Sequence, residues 1–226
     1  MQDYSLYRRQ KLVLNRKTSS NREMINLLEK YQKVDFDVAG LDTQYKIERE
    51  GEKLFIYFQG SMSAVDWVHN MFFLKYPYKG MGDVKWKCHA GFLQCWKNVE
   101  DIVGDRIRDQ RIKQIIIVGH SHGAALAVFC HEYCWFHRPD LRGSIRGFGF
   151  GCPRVVGHYK LPQGITERWE GFTIIRNGND IVTHVPPACF KFCHVSAPIS
   201  IGSPLSFLPT KCHLTGAYLE SLRKLV

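Results

Sequence analysis

Residues 114–128 constrain this chain more than any other stretch. Ile115, Ile116, Ile117 and Val118 are four β-branched residues in a row, the pattern of a strand covered on both faces. Gly119-His120-Ser121-His122-Gly123 follows, and Ala124 to Cys130, small and apolar, reads as the start of a helix. A strand that turns directly into a helix brings two backbones close together, so the residues flanking the turn must be small. Gly119 and Gly123 meet that need, and Ala124 and Ala125 extend it. The turn holds the Ser121 hydroxyl at the sheet edge, and the helix behind it aims free N–H groups at the same place. A serine before a helix also serves as an ordinary N-cap. For Ser121 to act as a nucleophile, the rest of the chain must supply a base, an orienting carboxylate and a second oxyanion donor.

The flanking sequence supplies candidates. Ser20-Asn21-Arg22-Glu23 is a capping box, so a helix is expected from there to about Lys33. Gln44–Arg49 and Lys53–Phe58 alternate around Glu50-Gly51-Glu52, a β-hairpin pattern. Phe58-Gln59-Gly60-Ser61 ends a strand where an upstream loop can present an N–H to the turn at Ser121, and a helix is expected to follow. The aromatic stretch that includes Trp67, Met71, Phe72, Phe73, Tyr76 and Tyr78 is interrupted by Pro77, Gly80 and Gly82. It reads either as a cover over a site or as ordinary core. Val84–Cys88 is expected as a strand, Gly91–Arg108 as one helix, and Ser144–Phe150, Phe172–Arg176 and Ala188–Val195 as strands. A short helix ends the chain. Strands and helices alternate from residue 84 onward, which implies a mostly parallel sheet flanked by helices. No repeat, low-complexity run or linker divides the 226 residues. They read as one domain, 1–226, with residues 1–40 as an N-terminal helical extension packed on it.

Composition excludes several classes. No apolar run reaches the roughly 18 residues that span a bilayer. The basic N-terminus has no apolar segment of a secretory signal, so the expectation is a cytoplasmic chain, or one whose signal was removed before Met1. Eight cysteines are too few for a disulfide scaffold of this length and read as reduced thiols. Cys130/Cys134 and Cys189/Cys193, with His131 and His194 nearby, have knuckle-like spacing. Each pair lies in an apolar, structured stretch, so no metal is expected. The net charge is +10, spread without the compact Lys/Arg run of a nucleic-acid site. Spread positive charge fits simple solubility or attraction to an anionic membrane surface.

The remaining candidates fall in the chain order Ser121, Asp180, His213, which is the nucleophile–acid–base order of α/β-hydrolases. Asp180 ends the turn cluster Asn177-Gly178-Asn179-Asp180 after a strand. Ten histidines compete for the base. His120 and His122 sit inside the turn, His131 and His137 lie down the helix, and His184 is held beside Asp180 by a proline-braced loop. His213 has the right order and a loop before it.

Taken together, these motifs resemble the fungal-type class 3 lipases across about residues 53–218. Phe58-Gln59-Gly60-Ser61 with Asp66-Trp67 resembles the family's oxyanion loop, and His89-Ala90-Gly91-Phe92 its H-x-G-F element. Gly119 to Ala127 resembles its G-H-S-L-G-G-A-L-A elbow, and Phe148 to Arg154 its F-G-x-P-R-V-G segment. Asp180-Ile181-Val182 through Pro187 is similar to its acid motif, and His213 with Tyr218 to its histidine motif. Gln59, His122 and Ala124 depart from the usual arginine, leucine and glycine, and the segment from Trp67 to Cys88, where the family's lid sits, is short.

The resemblance implies an α/β-hydrolase fold and a carboxylic ester hydrolase for lipid-like substrates. Ser121, Asp180 and His213 would be catalytic, Ser61 and His122 the oxyanion donors, and Gly119, Gly123 and His89 the supports of the elbow. Trp67, Met71, Phe72 and Phe73 would form the lid or acyl-binding wall. No cofactor is called for. The competing expectations are an acyltransferase on the same triad and a non-catalytic lipid-binding domain of the same fold.

Overall fold

The computed structural model describes residues 20–40, 43–60, 74–78, 86–203 and 209–226. A central sheet of seven strands runs in the order β1-β2-β3-β6-β7-β8-β9. Its strands are β1 (Asp37–Ala39), β2 (Thr43–Glu50), β3 (Lys53–Phe58), β6 (Gln114–His120), β7 (Ile145–Phe150), β8 (Phe172–Asn177) and β9 (Ile199–Ile201). β4 (Lys75–Tyr78) and β5 (Trp86–His89) form a separate antiparallel pair. The expected hairpin is present: β2 and β3 pair antiparallel and close at Glu50↔Lys53, with Gly51 at a φ of 60°. From β3 onward every pairing in the large sheet is parallel.

The run of β-branched residues in β6 is buried because both faces of the sheet are covered. Ile115 and Ile117 point into one core with Leu54, Ile56, Phe58, Trp96 and the apolar side of the helix His122–His137. Ile116 and Val118 point the other way, into a second core with Phe55, Tyr57, Phe148 and Phe150. Met24, Leu27, Leu28 and Tyr31 from the helix over residues 20–31, and Tyr218, Leu219 and Leu222 from the helix Thr215–Arg223, cover that second face. Truncating a side chain such as Ile117, which has no exposed surface, costs about 2–5 kcal/mol. β7 divides its faces by size. Gly147 and Gly149 admit Phe172, which would stand 2.2 Å from a Cβ on Gly147, while Phe148 and Phe150 fill the other side.

Two expected elements differ. The expected helix over Gly91–Arg108 is two helices, Ala90–Lys97 and Glu100–Ile107, broken at Asn98-Val99. Val99 is fully buried there, and the turn brings both helices against the core. The expected strand over Ala188–Val195 is instead a short 3-10 turn, Ala188–Phe190, closed by Lys191 in the left-handed region. Cys193 makes only an isolated bridge to Val156. The edge strand that pairs with β8 lies further on, at Ile199–Ile201.

Candidate active site

Ser121 sits between the last residue of β6 and the first of the helix His122–His137, with φ 58° and ψ −128°. For a residue with a Cβ this backbone is strained, and the neighbours hold it there. Ser121 N–H donates to Phe150 O at 2.9 Å, and Ala124 N–H donates to Ser121 O at 2.9 Å. The two flanking glycines are required by contact. A Cβ on Gly119 would lie 2.3 Å from Gly123 O, and one on Gly123 would lie 2.1 Å from Phe58 O. His122 is the first helical residue, at the helix start where backbone N–H groups lie beyond the reach of intrahelical acceptors.

The acid and base meet at the same sheet edge. Asp180 follows β8, has no exposed surface, and accepts three donors. His213 Nδ1 lies 3.0 Å and 2.8 Å from its two carboxylate oxygens, Tyr218 Oη donates at 2.6 Å, and Val182 N–H donates at 2.9 Å. These donors offset the cost of burying the carboxylate. Burial, followed by the Asp180 charge, raises the Tyr218 phenol well above its ordinary range, so it stays a donor. Because Nδ1 faces a carboxylate it carries the proton, and neutral His213 is left with Nε2 as acceptor. That Nε2 is buried without a hydrogen-bond partner among the described residues. Asn177 Nδ2 donates to Cys212 O at 3.0 Å, which anchors the segment before His213.

Two further glycines show how closely the parts converge. A Cβ on Gly60, just past β3, would stand 2.9 Å from Ser121 Cβ and 3.5 Å from its Oγ. A Cβ on Gly151, just past β7, would stand 2.8 Å from the His213 ring and 2.9 Å from Asp180 Oδ2. The C-terminal ends of β3, β6, β7 and β8 thus gather Ser121, Asp180 and His213 in one place, the edge where open α/β sheets carry their sites.

The other expected site residues divide. His89 accepts from Gly91 N–H and Phe92 N–H at 3.2 and 3.4 Å and so caps the helix Ala90–Lys97. Its ring meets Phe92, whose ring meets His122, so its contact with the elbow runs through Phe92. Ser61, Trp67, Met71, Phe72 and Phe73 lie outside the described residues. Of the aromatic stretch, Tyr78 is core, packed on Trp86 and Phe129.

Two neighbours have a place at the site that the sequence did not announce, one of them set aside as a base and the other not singled out. His120 stacks on His213, and Tyr31 Oη donates to Phe58 O at 3.3 Å while its ring meets His120 edge-on. Tyr31 lies on the apolar stripe Met24, Leu27, Leu28, Tyr31, whose spacing marks a buried face without saying what it covers.

A mostly parallel sheet with a strained serine at a strand–helix turn, and a buried Asp–His pair at the same edge, defines an α/β-hydrolase. A family model described as lipase (class 3) matches residues 55–190, more than half of the chain. The chain belongs to that family. It is 30% identical over 164 residues to a lipase of Rhizomucor miehei, across 68% of this chain and 43% of that one. It is 29% identical over 150 residues to a secreted mono- and diacylglycerol lipase of Malassezia restricta, across 63% of this chain and 44% of that one. Among solved structures, lipase II of Rhizopus niveus superposes with a TM-score of 0.63 at 25% identity, covering 73% of this chain and 64% of that one. The chain spans about two fifths of the length of the curated relatives it matches. One of these relatives is secreted by name, which departs from the cytoplasmic expectation. Among the described residues no helix is long and apolar enough to cross a membrane.

Proposed function

We propose that the chain is a serine carboxylic ester hydrolase acting on lipid esters, with Ser121 as nucleophile, His213 as general base and Asp180 as the acid that orients it. The observation that carries this reading is the buried Asp180–His213 pair, whose unpartnered Nε2 shares a sheet edge with the strained serine. In this reading Nε2 takes the Ser121 proton as Oγ attacks the ester carbon. The backbone N–H groups of Ser61 and His122 hold the oxyanion. His213, now an imidazolium stabilised by Asp180, gives its proton to the leaving alcohol. Water, activated in turn by His213, releases the acid from the acyl-enzyme.

Lipid esters are favoured because relatives are named lipase, mono- and diacylglycerol lipase and phospholipase A1. The apolar side chains Trp67, Met71, Phe72 and Phe73 would supply an acyl-binding wall. The test is a fluorophosphonate probe combined with a panel of esters of increasing chain length. Labelling at Ser121, lost in Ser121→Ala together with hydrolysis, supports the reading. Labelling elsewhere, or hydrolysis retained by Ser121→Ala, refutes it.

A further inference from the structure

Among the described residues, one face of the molecule carries positive charge and has no carboxylate in the segments that build it. It is built from β4, β5, the loop around residues 156–160 and the turn closed by Lys191. The sequence has no Asp or Glu between Asp180 and Glu220, from Trp86 to Val99, or from Pro153 to Thr166. Those are the segments that make up this face, apart from the short strand Lys75–Tyr78, which has no acid either.

The charges are neighbours in space. Register places Lys75 opposite His89 and Pro77 opposite Lys87, so the two lysines are diagonal on one face of the β4–β5 pair. Gly157 sits between them, since a Cβ there would lie 3.2 Å from the Lys75 side chain and 3.3 Å from Lys87. His158 Nε2 accepts from Lys87 N–H at 3.0 Å. The Lys75 ammonium is held below its ordinary value, first by partial burial and then by Lys191 and Lys87. His158 is lowered by burial and then by Lys87 and Lys75. Among the described residues, no ion pair involves any of these four.

Aromatic side chains accompany the lysines. Lys75 Nζ lies 5.0 Å from the centre of the Phe192 ring, and Lys191 Nζ lies 5.4 Å from that of Tyr159. Tyr159 is 65% exposed and Phe190 53%, which is high for rings this large. Exposed rings beside lysines suit the head-group layer of a membrane, where an amphipathic ring enters the interface and the ammonium meets phosphate. The face also leads to the site: the Phe192 ring meets His89, His89 meets Phe92, and Phe92 meets His122, next to Ser121.

We propose that this face docks on an anionic phospholipid surface, with Lys75, Lys87 and Lys191 against the head groups and Tyr159 and Phe190 entering the interface. The choice of lipid as the partner rests on the ester-hydrolase reading. The charge and exposure of the face do not depend on it.

The experiment measures binding of the full chain carrying Ser121→Ala to vesicles of phosphatidylcholine with and without phosphatidylglycerol. Two charge-matched triple variants are compared. One carries Lys75→Gln, Lys87→Gln and Lys191→Gln, and the other changes the exposed Lys33, Lys53 and Lys113 to Gln. The patch triple is expected to lose affinity for anionic vesicles on the order of a hundredfold, as three lysines near the surface imply. The control triple should stay within a few-fold of the parent. Equal losses in both triples, no preference for phosphatidylglycerol, or equal binding of duplex DNA through the same lysines would each overturn the proposal. Lys191→Gln alone, with one lysine removed, should flatten the salt dependence of binding, and an unchanged salt dependence counts against the patch. With Ser121 intact, the patch triple should hydrolyse a soluble ester as the parent does. A parent that binds anionic vesicles but hydrolyses no ester would sink the enzyme reading and leave the docking face standing.

Discussion

The imidazole of His120 lies 4.6 Å from that of His213, tilted by only 29°, and its Nε2 donates to the backbone oxygen of His213 at 2.7 Å. A ring nitrogen that faces a carbonyl carries the proton, which fixes neutral His120 as the Nε2–H tautomer. Burial, and then the charge of His213, push its pKa down to about 3. His120 therefore stays uncharged while its neighbour alternates between imidazole and imidazolium in the proposed reaction. Tyr31 and Tyr218 close around it edge-on.

His120→Phe should separate the stack from the hydrogen bond, because Phe keeps a flat ring and has no donor. A neutral hydrogen bond contributes about 1 kcal/mol, so turnover on a soluble ester should fall roughly five- to tenfold, with KM little changed. An effect confined to thermal stability, with turnover equal to the parent, would show that His120 is only packing.

The elbow glycines make a stability prediction. Gly123→Ala places a methyl 2.1 Å from Phe58 O, between strand and helix backbones that cannot part without breaking the sheet. The expected result is an insoluble chain, or one destabilised by several kcal/mol. Gly216→Ala is the matched control, since it lies in the helix Thr215–Arg223 with nothing within 4 Å of the new methyl. That change should be neutral or stabilising by up to about 1 kcal/mol. A soluble Gly123→Ala chain with the parent's melting temperature would contradict the close approach.

The sequence declared the elbow because its constraints are local: four β-branched residues, then small residues wherever backbones touch. The hairpin was legible for the same reason, since its turn needs Gly51. Asp180 and His213 could be ordered along the chain because each follows an expected strand. What stayed hidden depends on contacts far apart in sequence. Ninety-three residues separate His120 from His213, and no local pattern announces a ring stack across that span. The break at Asn98-Val99 was hidden because its apolar spacing continues through both helices. Ala188–Val195 read as a strand for its apolar content. Pro186 and Pro187 before it, and Lys191 within it, instead favour a turn.

Acid should destabilise the fold through its buried histidines. His131, whose Nδ1 meets Arg168 O at 2.9 Å, and His194, whose Nε2 meets Thr183 O at 2.9 Å, are both pushed down to about 4, chiefly by burial. With the unfolded value at 6.5, the unfolded chain binds protons first. Their stabilisation is present above pH 6.5 and is lost as pH falls toward about 4, at about 1.4 kcal/mol per pH unit for each ring. Glu132 runs the other way. Burial raises it to about 7 against the pull of Arg168, so its protonation below that value offsets part of the loss. The expected melting temperature falls from pH 6.5 to pH 4, and imidazole signals of His131 and His194 titrate near the lower end. Rings that titrate at 6.5 in the folded chain would contradict this.

The acid admits the most discriminating test, because one carboxylate performs two tasks. Asp180 Oδ1 accepts Val182 N–H and so caps the short 3-10 turn Ile181–His184, while both oxygens face His213 Nδ1. Asn can perform the first task, since its amide oxygen accepts the same N–H and supports the same turn. It cannot perform the second. Its oxygen, committed to Val182 N–H, turns the amide NH2 toward His213, which favours the wrong tautomer and leaves the imidazolium without a counter-charge. It also leaves the Tyr218 phenol, 2.6 Å from Oδ2 in the parent, facing a donor. Asp180→Asn should therefore fold with the parent's circular dichroism and lose turnover by at least about a hundredfold, and up to about 10⁴-fold as in the Ser-His-Asp template. Tyr218→Phe removes one donor to the carboxylate and spares its charge, so its loss should be nearer tenfold. The order of the two losses is the reading. A folded Asp180→Asn chain within tenfold of the parent, or one less impaired than Tyr218→Phe, would show that Asp180 serves the turn and that another carboxylate orients His213.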